Sequence, residues 1–452
     1  MKILFIACYS PMINNSASIE TLMYLNNLCN IENNCVHLLT VDFPKNSIYY
    51  DEEILKLLES KVKVHAIEGG KLFNKIMPKK SIEVTEEDKS SNTKSSDKIK
   101  LMRKIKNKII FPDMYYNWSF KASKYGIELM NKEKFDVIFS MHEPPSSHLC
   151  ALRIKKHFKE IPWVLYWSDP WLKDPSRENI GFIRKFIEGR QEKSVVLNGD
   201  RHIFVTEENK KDFMEKYNLK EDKMFIVTRG YNKAIYEEIE RAEKPEFLKD
   251  NKINLIYAGE IFSKIRDLKP FIKALKELEK RDQELFNRLN IIFFGNIDDE
   301  NIKEELKKFS NVSVNGRIDY KEALRYMIHG DVLLVLGNKN SKQIPAKIYD
   351  YLGTKNLIMV ILGDENDPIK NVALNKEKCI VSENNYEAII DDLNKCRDLI
   401  DSGKKFKANE EYEWSSIGKK LNNILKLKCK EQIINKDHFN KNSLKLTFYI
   451  YF

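Results

Sequence analysis

Short apolar runs alternate with longer amphipathic segments along most of the chain. Apolar runs bounded by polar turns are typical of buried parallel strands, and the segments between them carry a helical period. The pattern predicts seven strands in the first half, at Lys2–Cys8, Val36–Val41, Val62–Ile67, Asp136–Ser140, Trp163–Trp167, His202–Val205 and Phe225–Thr228. It predicts six in the second half, at Ile253–Ala258, Ile291–Phe294, Val312–Val314, Asp331–Leu336, Leu357–Ile361 and Cys379–Val381. Strands alternating with helices in this way indicate βαβ units and parallel sheets.

The 452 residues are too many for one ordinary core, so two domains are expected. We predict an α/β protein with two doubly wound, Rossmann-like domains facing across a cleft, at residues 1–235 and 250–405. The charged segment Lys233 to Asn251 has no strand pattern and is the predicted linker. Residues 406–430 contain a helix, and residues 431–452 form a tail. Ligands in such folds lie at the carboxyl ends of the strands.

An insert near residues 83–111 interrupts the first half. Its charged part, residues 83–96, has the composition of a disordered loop. The segment Lys98 to Phe111 combines six basic residues with an apolar helical stripe of Ile99, Met102, Ile105 and Ile109. It is either a solvated helix packed on its own domain or a helix that docks on an anionic membrane surface.

Composition narrows the class of protein only slightly. A hydrophobic fraction of 42% is sufficient for large cores, and a formal charge of +10 favours an anionic partner. Nucleic acid, acidic lipid and sugar nucleotide all fit that charge. The sequence has no aromatic-basic RNA-binding motif, so we do not expect nucleic acid as a partner.

Cysteine and histidine usage predicts a reduced compartment and no protein-held metal. The seven cysteines are scattered, without a CxxC pair, which favours free thiols in the cytoplasm. No HExxH-like spacing occurs among the eight histidines. No apolar run approaches the ~20 residues that span a bilayer. The first apolar run is also too short for a signal peptide.

The segment QIPAKIYDYLG, from Gln343 to Gly353, carries the clearest candidate chemistry. Pro345 suits the first turn of a helix, and Lys347 and Asp350 are three residues apart on one helical face. A cation and a carboxylate at the end of a parallel strand could bind a phosphorylated ligand with hydroxyl groups. The alternative is a surface helix with an ordinary ion pair between these two side chains.

This segment resembles the donor-binding motif of family 4 glycosyltransferases, which have the GT-B fold. In that family the lysine approaches the diphosphate of a nucleotide sugar and the acidic residue binds the ribose hydroxyls. The resemblance assigns these roles to Lys347 and Asp350, with Pro345 preceding them. Asp350 replaces the usual glutamate, and Lys342 stands where the wider family pattern has a second glutamate that contacts the sugar.

Three motifs in the first half extend the resemblance. FPDMYYNW (Phe111 to Trp118), KFDVIFSMHEPPSSHL (Lys134 to Leu149) and IPWVLYWSDPW (Ile161 to Trp171) follow one another as in bacterial polysaccharide and capsule glycosyltransferases of this type. Together with the second-half motifs, the resemblance covers roughly Lys2 to Ile424.

Two side chains that follow first-half strands are candidate catalytic residues beside Lys347. His142 could donate a hydrogen bond to a sugar hydroxyl, or it could be a loop histidine without a ligand. Asp169 could accept a proton or hydrogen bond from the acceptor hydroxyl, or it could only cap a turn. The family also has paired glycines in the loop after the first strand. This chain has larger side chains there, at Asn15, Ser16, Ala17 and Ser18.

The segment YAGEIFSKIRDLKPF, from Tyr257 to Phe271, resembles the glycine turn and basic phosphate-binding element of the family. Gly259 would form the turn and Arg266 would bind the diphosphate through its guanidinium, with Lys264 as an alternative contact. Arg266 could also be an ordinary residue at a helix start. Three further residues that follow predicted strands are assigned to the donor side: Gly295, Gly316 and Arg317.

The resemblance implies a cytoplasmic, hexosyltransferase-like enzyme that is peripheral to the inner face of the membrane. It would transfer a sugar from a nucleoside-diphosphate donor, a UDP-sugar, to a growing glycan or lipid-linked acceptor. Retention of configuration, no protein-bound metal and no cofactor beyond the donor are further implications. Two alternatives remain open: a degenerate protein that only binds nucleotide sugars, and an epimerase or hydrolase-like enzyme on the same fold.

Overall fold

The computed structural model describes residues 1–70, 73–74, 77, 111–173 and 180–427. The predicted loop at 83–96, residues 98–110 of the predicted basic helix and the tail at 431–452 lie outside this range. Both interpretations of the basic helix therefore stay predictions. None of the helices within the described range is long and apolar enough to cross a bilayer.

The first domain is built on a parallel sheet of seven strands in the order β3-β2-β1-β4-β5-β6-β7. The strands are β1 Lys2–Ile6, β2 Cys35–Asp42, β3 Lys63–Glu68, β4 Val137–His142, β5 Trp163–Trp167, β6 Arg201–Phe204 and β7 Met224–Ile226. The helices are α1 Ser16–Cys29, α2 Glu52–Lys56, α3 Tyr116–Lys132, α4 Ser146–His157, α5 Phe182–Asn198 and α6 Glu207–Tyr217.

The second domain repeats this plan with six parallel strands in the order β10-β9-β8-β11-β12-β13. They are β8 Ile253–Ala258, β9 Leu289–Phe294, β10 Val312–Asn315, β11 Val332–Leu336, β12 Leu357–Ile361 and β13 Cys379–Ser382. Nine helices follow β7 within the described range: α7 Lys233–Glu240, α8 Lys269–Arg281, α9 Gln283–Arg288, α10 Glu300–Lys307, α11 Tyr320–His329, α12 Lys347–Leu352, α13 Ile369–Ala373, α14 Tyr386–Asp401 and α15 Trp414–Lys426.

All thirteen predicted strands are present, with ends within two residues of the predicted ones. Central strands such as β4 and β11 are buried along their whole length, because helices cover both faces of each sheet. In each sheet the strand order reverses once, between β1 and β4 and between β8 and β11. Crevices open at such reversal points, beyond the carboxyl ends of the strands.

The predicted linker begins with a helix. Asn232 caps α7 by accepting a hydrogen bond from the N–H of Ile235 at 3.3 Å. Tyr236 and Ile239 of α7 are buried in the same core cluster as Ile256 of β8. The predicted linker therefore packs with the second domain from residue 233 onward. The sequence pattern had shown only that this segment is not a strand.

The last helix, α15, returns to the first domain. Its buried side chains, among them Trp414 and Leu421, share a core cluster with Tyr24 of α1. At the crossing, the N–H of Tyr231 donates to the carbonyl of Tyr412 at 2.9 Å, and the N–H of Trp414 donates to the carbonyl of Tyr231 at 3.0 Å. The two passages of the chain between the domains therefore lie side by side.

Candidate active site

Lys347 lies at the start of α12 with its ammonium group buried. Its Nζ is 3.7 Å from the centre of the Tyr257 ring and has no hydrogen-bond partner among the described residues. Burial lowers the pKa of Lys347 well below its usual value, and the nearby charge of Arg266 lowers it further. The alternative of a surface ion pair with Asp350 is wrong. Asp350 and Glu260 favour the charged form, but no described carboxylate forms an ion pair with Nζ. An anionic ligand would supply such a partner and favour the charged form of Lys347.

Two glycines make room for this ammonium group. Gly259 follows β8 with φ of +144°, and a Cβ atom there would overlap Nζ of Lys347. Gly295 follows β9 with φ of +111°, and a Cβ atom there would overlap the carbonyl of Gly259. Since L side chains rarely adopt such backbone angles, glycine is required at both positions.

Arg266 is held beside Lys347 by the surrounding loops. Its Nε donates to Oδ1 of Asn338 at 2.9 Å, and its Nη1 donates to the carbonyl of Glu260 at 2.6 Å. Asn338 in turn donates to the carbonyl of Gln343, just before α12, at 3.1 Å. The guanidinium is thus oriented by the loops that follow β8 and β11, the two strands at the reversal point.

A buried carboxylate, missed in the sequence, fixes the loop after β12. Asp367 accepts hydrogen bonds from the N–H of Gly363 at 2.8 Å and of Ile369 at 3.0 Å. Burial raises the pKa of Asp367, and the backbone N–H groups around it, including that of Asn338, act in the opposite direction. Asp367 precedes Pro368, and an Asp-Pro pair is common in ordinary turns. The sequence alone therefore does not distinguish Asp367 from a turn residue.

Asp350 lies on the same helix as Lys347 and is half-buried. Burial raises the pKa of Asp350 to about 7, while Arg229, Lys347 and the nearby Tyr236 hydroxyl act in the opposite direction. The Tyr236 hydroxyl donates its hydrogen bond to the backbone carbonyl of Asp350, at 3.1 Å. Asp350 is therefore a carboxyl group whose charge depends on what binds next to it.

A buried ion pair from the first domain lies near Asp350 and was not predicted. Arg229 forms an ion pair with Glu20 of α1 at 2.9 Å, and Glu20 is only 2% exposed. The hydroxyl of Tyr166 donates to Glu20 at 2.5 Å. Glu20 and Arg229 are over 200 positions apart in the chain, so spacing could not reveal them.

The loop before α12 contacts the first domain directly. Nε2 of Gln343 donates to Oδ1 of Asp169 at 2.5 Å. Lys342, which occupies the position of the family glutamate, forms an ion pair with Asp212 of α6 at 2.6 Å. The structure thus brings Asp169 to the donor side and uses Lys342 to join the two domains.

His142 lies at the carboxyl end of the first sheet, but inside a strand. Strand β4 runs two residues beyond the predicted end, and His142 pairs with Trp167 of β5. Its ring is buried near Trp167, Trp171 and His148, with centroid distances of 5.5, 6.2 and 5.6 Å. His142 is therefore a strand residue and not a loop residue, and its role toward a ligand stays a prediction.

The predicted acceptor-side loop is also shorter than expected. Asn15 caps α1 by accepting a hydrogen bond from the N–H of Ser18 at 2.8 Å. Ser16, Ala17 and Ser18 consequently form the first turn of α1. Side chains are compatible with this position because the backbone turns into a helix here and needs no glycine.

Gly316 and Arg317 lie at the edge of the donor side. The carbonyl of Gly316 accepts a hydrogen bond from the N–H of Gly295 at 3.1 Å. Arg317 is exposed and forms an ion pair with Glu260 at 2.7 Å. Within the described residues, no three His, Cys, Asp or Glu side chains are placed to hold a metal ion.

Comparisons with known proteins address the fold. The sequence matches no protein-family model and no curated protein. Among solved structures, the chain is similar to a glycosyltransferase from Rickettsia africae, with a TM-score of 0.61 and 14% identity over 94% of this chain and 97% of that one. It is also similar to HepE of Anabaena in complex with UDP, with a TM-score of 0.58 and 10% identity over 94% and 99% of the two chains. The chain has the GT-B fold.

A third similar structure is an enzyme of another class. It is the UDP-GlcNAc 2-epimerase of Neisseria meningitidis bound to UDP-GlcNAc, with a TM-score of 0.54 and 11% identity over 94% of this chain and 99% of that one. At these identities the likeness concerns the fold alone. The GT-B fold thus agrees with the predicted architecture, and the chemistry has to be argued from the site.

Replacing Gly259 tests whether ligand binding requires the space that Nζ of Lys347 occupies. In Gly259→Ala the new methyl group displaces Nζ of Lys347, and we expect the affinity for UDP to fall at least about tenfold while the fold persists. Calorimetry measures the affinity. Gly403→Ala, at a position that also has a positive φ, of +67°, but has open space around it, is the matched control. Equal UDP binding by both variants would show that Lys347 does not face the ligand.

Replacing Asp350 tests the cost of its burial. The pKa of Asp350 is about 7 in the folded protein and 3.8 as its usual value. The unfolded chain therefore loses this proton at a lower pH than the folded protein does, and the free energy of unfolding falls as the pH rises from about 4 to 7. Asp350→Asn should therefore raise the free energy of unfolding by about 1–3 kcal/mol at pH 8, and by less at pH 5. Denaturant unfolding at both pH values measures this. A destabilised variant at pH 8 would mean that the carboxylate supports the fold.

Proposed function

We propose that this protein is a glycosyltransferase that moves a sugar from a UDP-sugar to a growing glycan or lipid-linked acceptor. The observation that carries the proposal is the buried ammonium group of Lys347, which has no partner among the described residues. It lies beside Arg266, at the reversal point of the second sheet. Two adjacent cations in a buried crevice suit a diphosphate, which supplies the missing negative charge.

Each residue then has a role in the transfer. Lys347 and Arg266 stabilise the negative charge that develops on the departing diphosphate. Asp350 accepts hydrogen bonds from the ribose hydroxyls. His142, at the carboxyl end of the first sheet, and Asp169, which contacts the loop before α12, orient sugar hydroxyls. The bond from the anomeric carbon to the phosphate breaks, and the bond to the acceptor oxygen forms.

We further propose that configuration is retained without a protein-bound metal. An oxygen of the departing phosphate takes the proton of the acceptor hydroxyl on the face from which it leaves, so no separate base is required. Two described cations at the diphosphate can supply the charge stabilisation that a metal ion supplies elsewhere. The UDP in the Anabaena structure supports UDP as the nucleotide.

A specific observation also favours a second candidate. One structurally similar protein is an epimerase bound to UDP-GlcNAc, and a diphosphate site on this fold would serve that reaction equally well. An epimerase inverts one sugar carbon and needs no acceptor. A protein that only binds nucleotide sugars would share the site and show neither activity.

Removing the Lys347 charge tests the donor assignment. Lys347→Met keeps an apolar chain over Tyr257 and removes a buried charge, so the free protein should be at least as stable as the wild type. Its affinity for UDP should fall about 10- to 100-fold, because one charged hydrogen bond is lost. Lys264→Met, at an exposed lysine of the same segment, is the control for calorimetry. A larger loss in the control would assign the diphosphate to Lys264.

Incubation with nucleotide sugars separates the candidate reactions. A thermal-shift screen first identifies the donor, since a bound ligand stabilises the folded state. We expect NMR of that donor to show slow release of UDP and no epimer without an acceptor, and rapid release with glycan acceptors. Accumulation of an epimer without acceptor would establish the second candidate. Binding without either product would contradict both enzymatic functions.

A further inference from the structure

The outer face of α5 carries apolar side chains that the described chain does not cover. Phe182, Ile183 and Phe186 are 84%, 74% and 55% exposed. Leu197, in the last turn of the helix, is 54% exposed. Single exposed apolar residues are common on protein surfaces, but several on one helix mark an interaction surface.

Cations accompany these apolar side chains. Arg190 is one turn beyond Phe186 on the same face, and its guanidinium lies over the Phe186 ring at 5.0 Å. Lys185 and Lys193 are also exposed on α5. The carboxylates of this helix, Glu188 and Glu192, are buried on its opposite face. The exposed side of α5 therefore combines apolar and positively charged groups and shows no exposed carboxylate within 182–198.

A groove of about 460 Å³ continues this surface between α5 and α4. Its floor is apolar, with Leu149, Leu152 and Ile187, and its rim carries the cations Arg153, Lys156 and Arg190. No carboxylate is among the described residues that line it. An apolar floor with a cationic rim suits a ligand with an acyl portion and a negatively charged head group.

The inner face of α5 holds the loop that follows Asp169. Glu188 accepts a hydrogen bond from the indole of Trp171 at 2.8 Å, and Glu192 accepts one from the N–H of Leu172 at 2.9 Å. One helix thus has the loop after Asp169 on its inner face and the apolar, cationic surface on its outer face.

We propose that the outer face of α5 and its groove against α4 form a docking surface for an anionic lipid bilayer. Aromatic and aliphatic side chains enter the interface between head groups and acyl chains, while the neighbouring cations meet lipid phosphates. A second copy of this chain does not suit the surface, because two cationic faces repel each other. The proposal uses none of the residues of the predicted basic helix and does not depend on the proposed function.

Vesicle sedimentation of the full chain tests the surface. The wild type should bind vesicles of phosphatidylglycerol and phosphatidylcholine at low salt, and should bind phosphatidylcholine alone much more weakly. Phe182→Ser with Ile183→Ser should lower the partition coefficient at least about tenfold, because two apolar side chains no longer enter the interface. Phe247→Ser with Leu374→Ser, exposed apolar residues of the second domain, is the matched control and should bind as the wild type.

A second pair of variants tests the charge. Lys156→Glu with Arg190→Glu should lower the partition coefficient at least about tenfold, since each cation near an anionic surface contributes about fivefold. Lys405→Glu with Lys420→Glu makes the same change in net charge at exposed positions elsewhere and should have a smaller effect. UDP affinity, measured by calorimetry, should be unchanged in all four variants, which separates this proposal from the proposed function.

Three results would overturn the proposal. One is a wild type that does not sediment with anionic vesicles at low salt, which would make an acidic protein the better partner for this face. Another is a pair of α5 variants that bind as well as their controls. The third is complete loss of binding on changing Lys100, Arg103, Lys104 and Lys106 to Glu while the α5 variants bind normally, because the basic helix would then be the anchor.

Discussion

The candidate active site depends on one constraint: a lysine ammonium group is buried where no described residue neutralises it. Gly259 and Gly295 leave the space it occupies, the Tyr257 ring supports it, and Arg266 adds a second positive charge. The contact with the Tyr257 ring favours the charged form of Lys347, whereas burial and the neighbouring guanidinium oppose it. Under the proposed function, the diphosphate of the donor offsets these two costs.

The contacts between the domains depend on the same segment. The residues immediately before α12 reach the first domain through Gln343 and Lys342, whose partners are Asp169 and Asp212. A glutamate at position 342 would face the Asp212 carboxylate and repel it. Lysine at this position therefore replaces a sugar contact of the family pattern with an attraction between domains.

The sequence predicted the strands well because central strands of doubly wound sheets are buried on both faces and appear as uninterrupted apolar runs. It also placed Lys347 and Asp350 on one helix, since their spacing is local. The sequence did not predict contacts between residues that are far apart in the chain. Glu20 and Arg229 form an ion pair although they are far apart in the chain, and Asn338, which orients Arg266, is 72 positions from it. The pattern around Asn15 was misread as a loop, because nothing in it showed that its side chain caps a helix.

The side-by-side passages at Tyr231 and Tyr412 have a mechanical consequence. Both covalent connections between the domains pass through one place and are bonded to each other there. A rotation that separates the domains must bend both connections together, so they act as one hinge with a shared axis. Other interdomain contacts, such as the Lys342–Asp212 ion pair, have no covalent link across them and can break and re-form. Any motion that widened the cleft would therefore turn the domains about this one place.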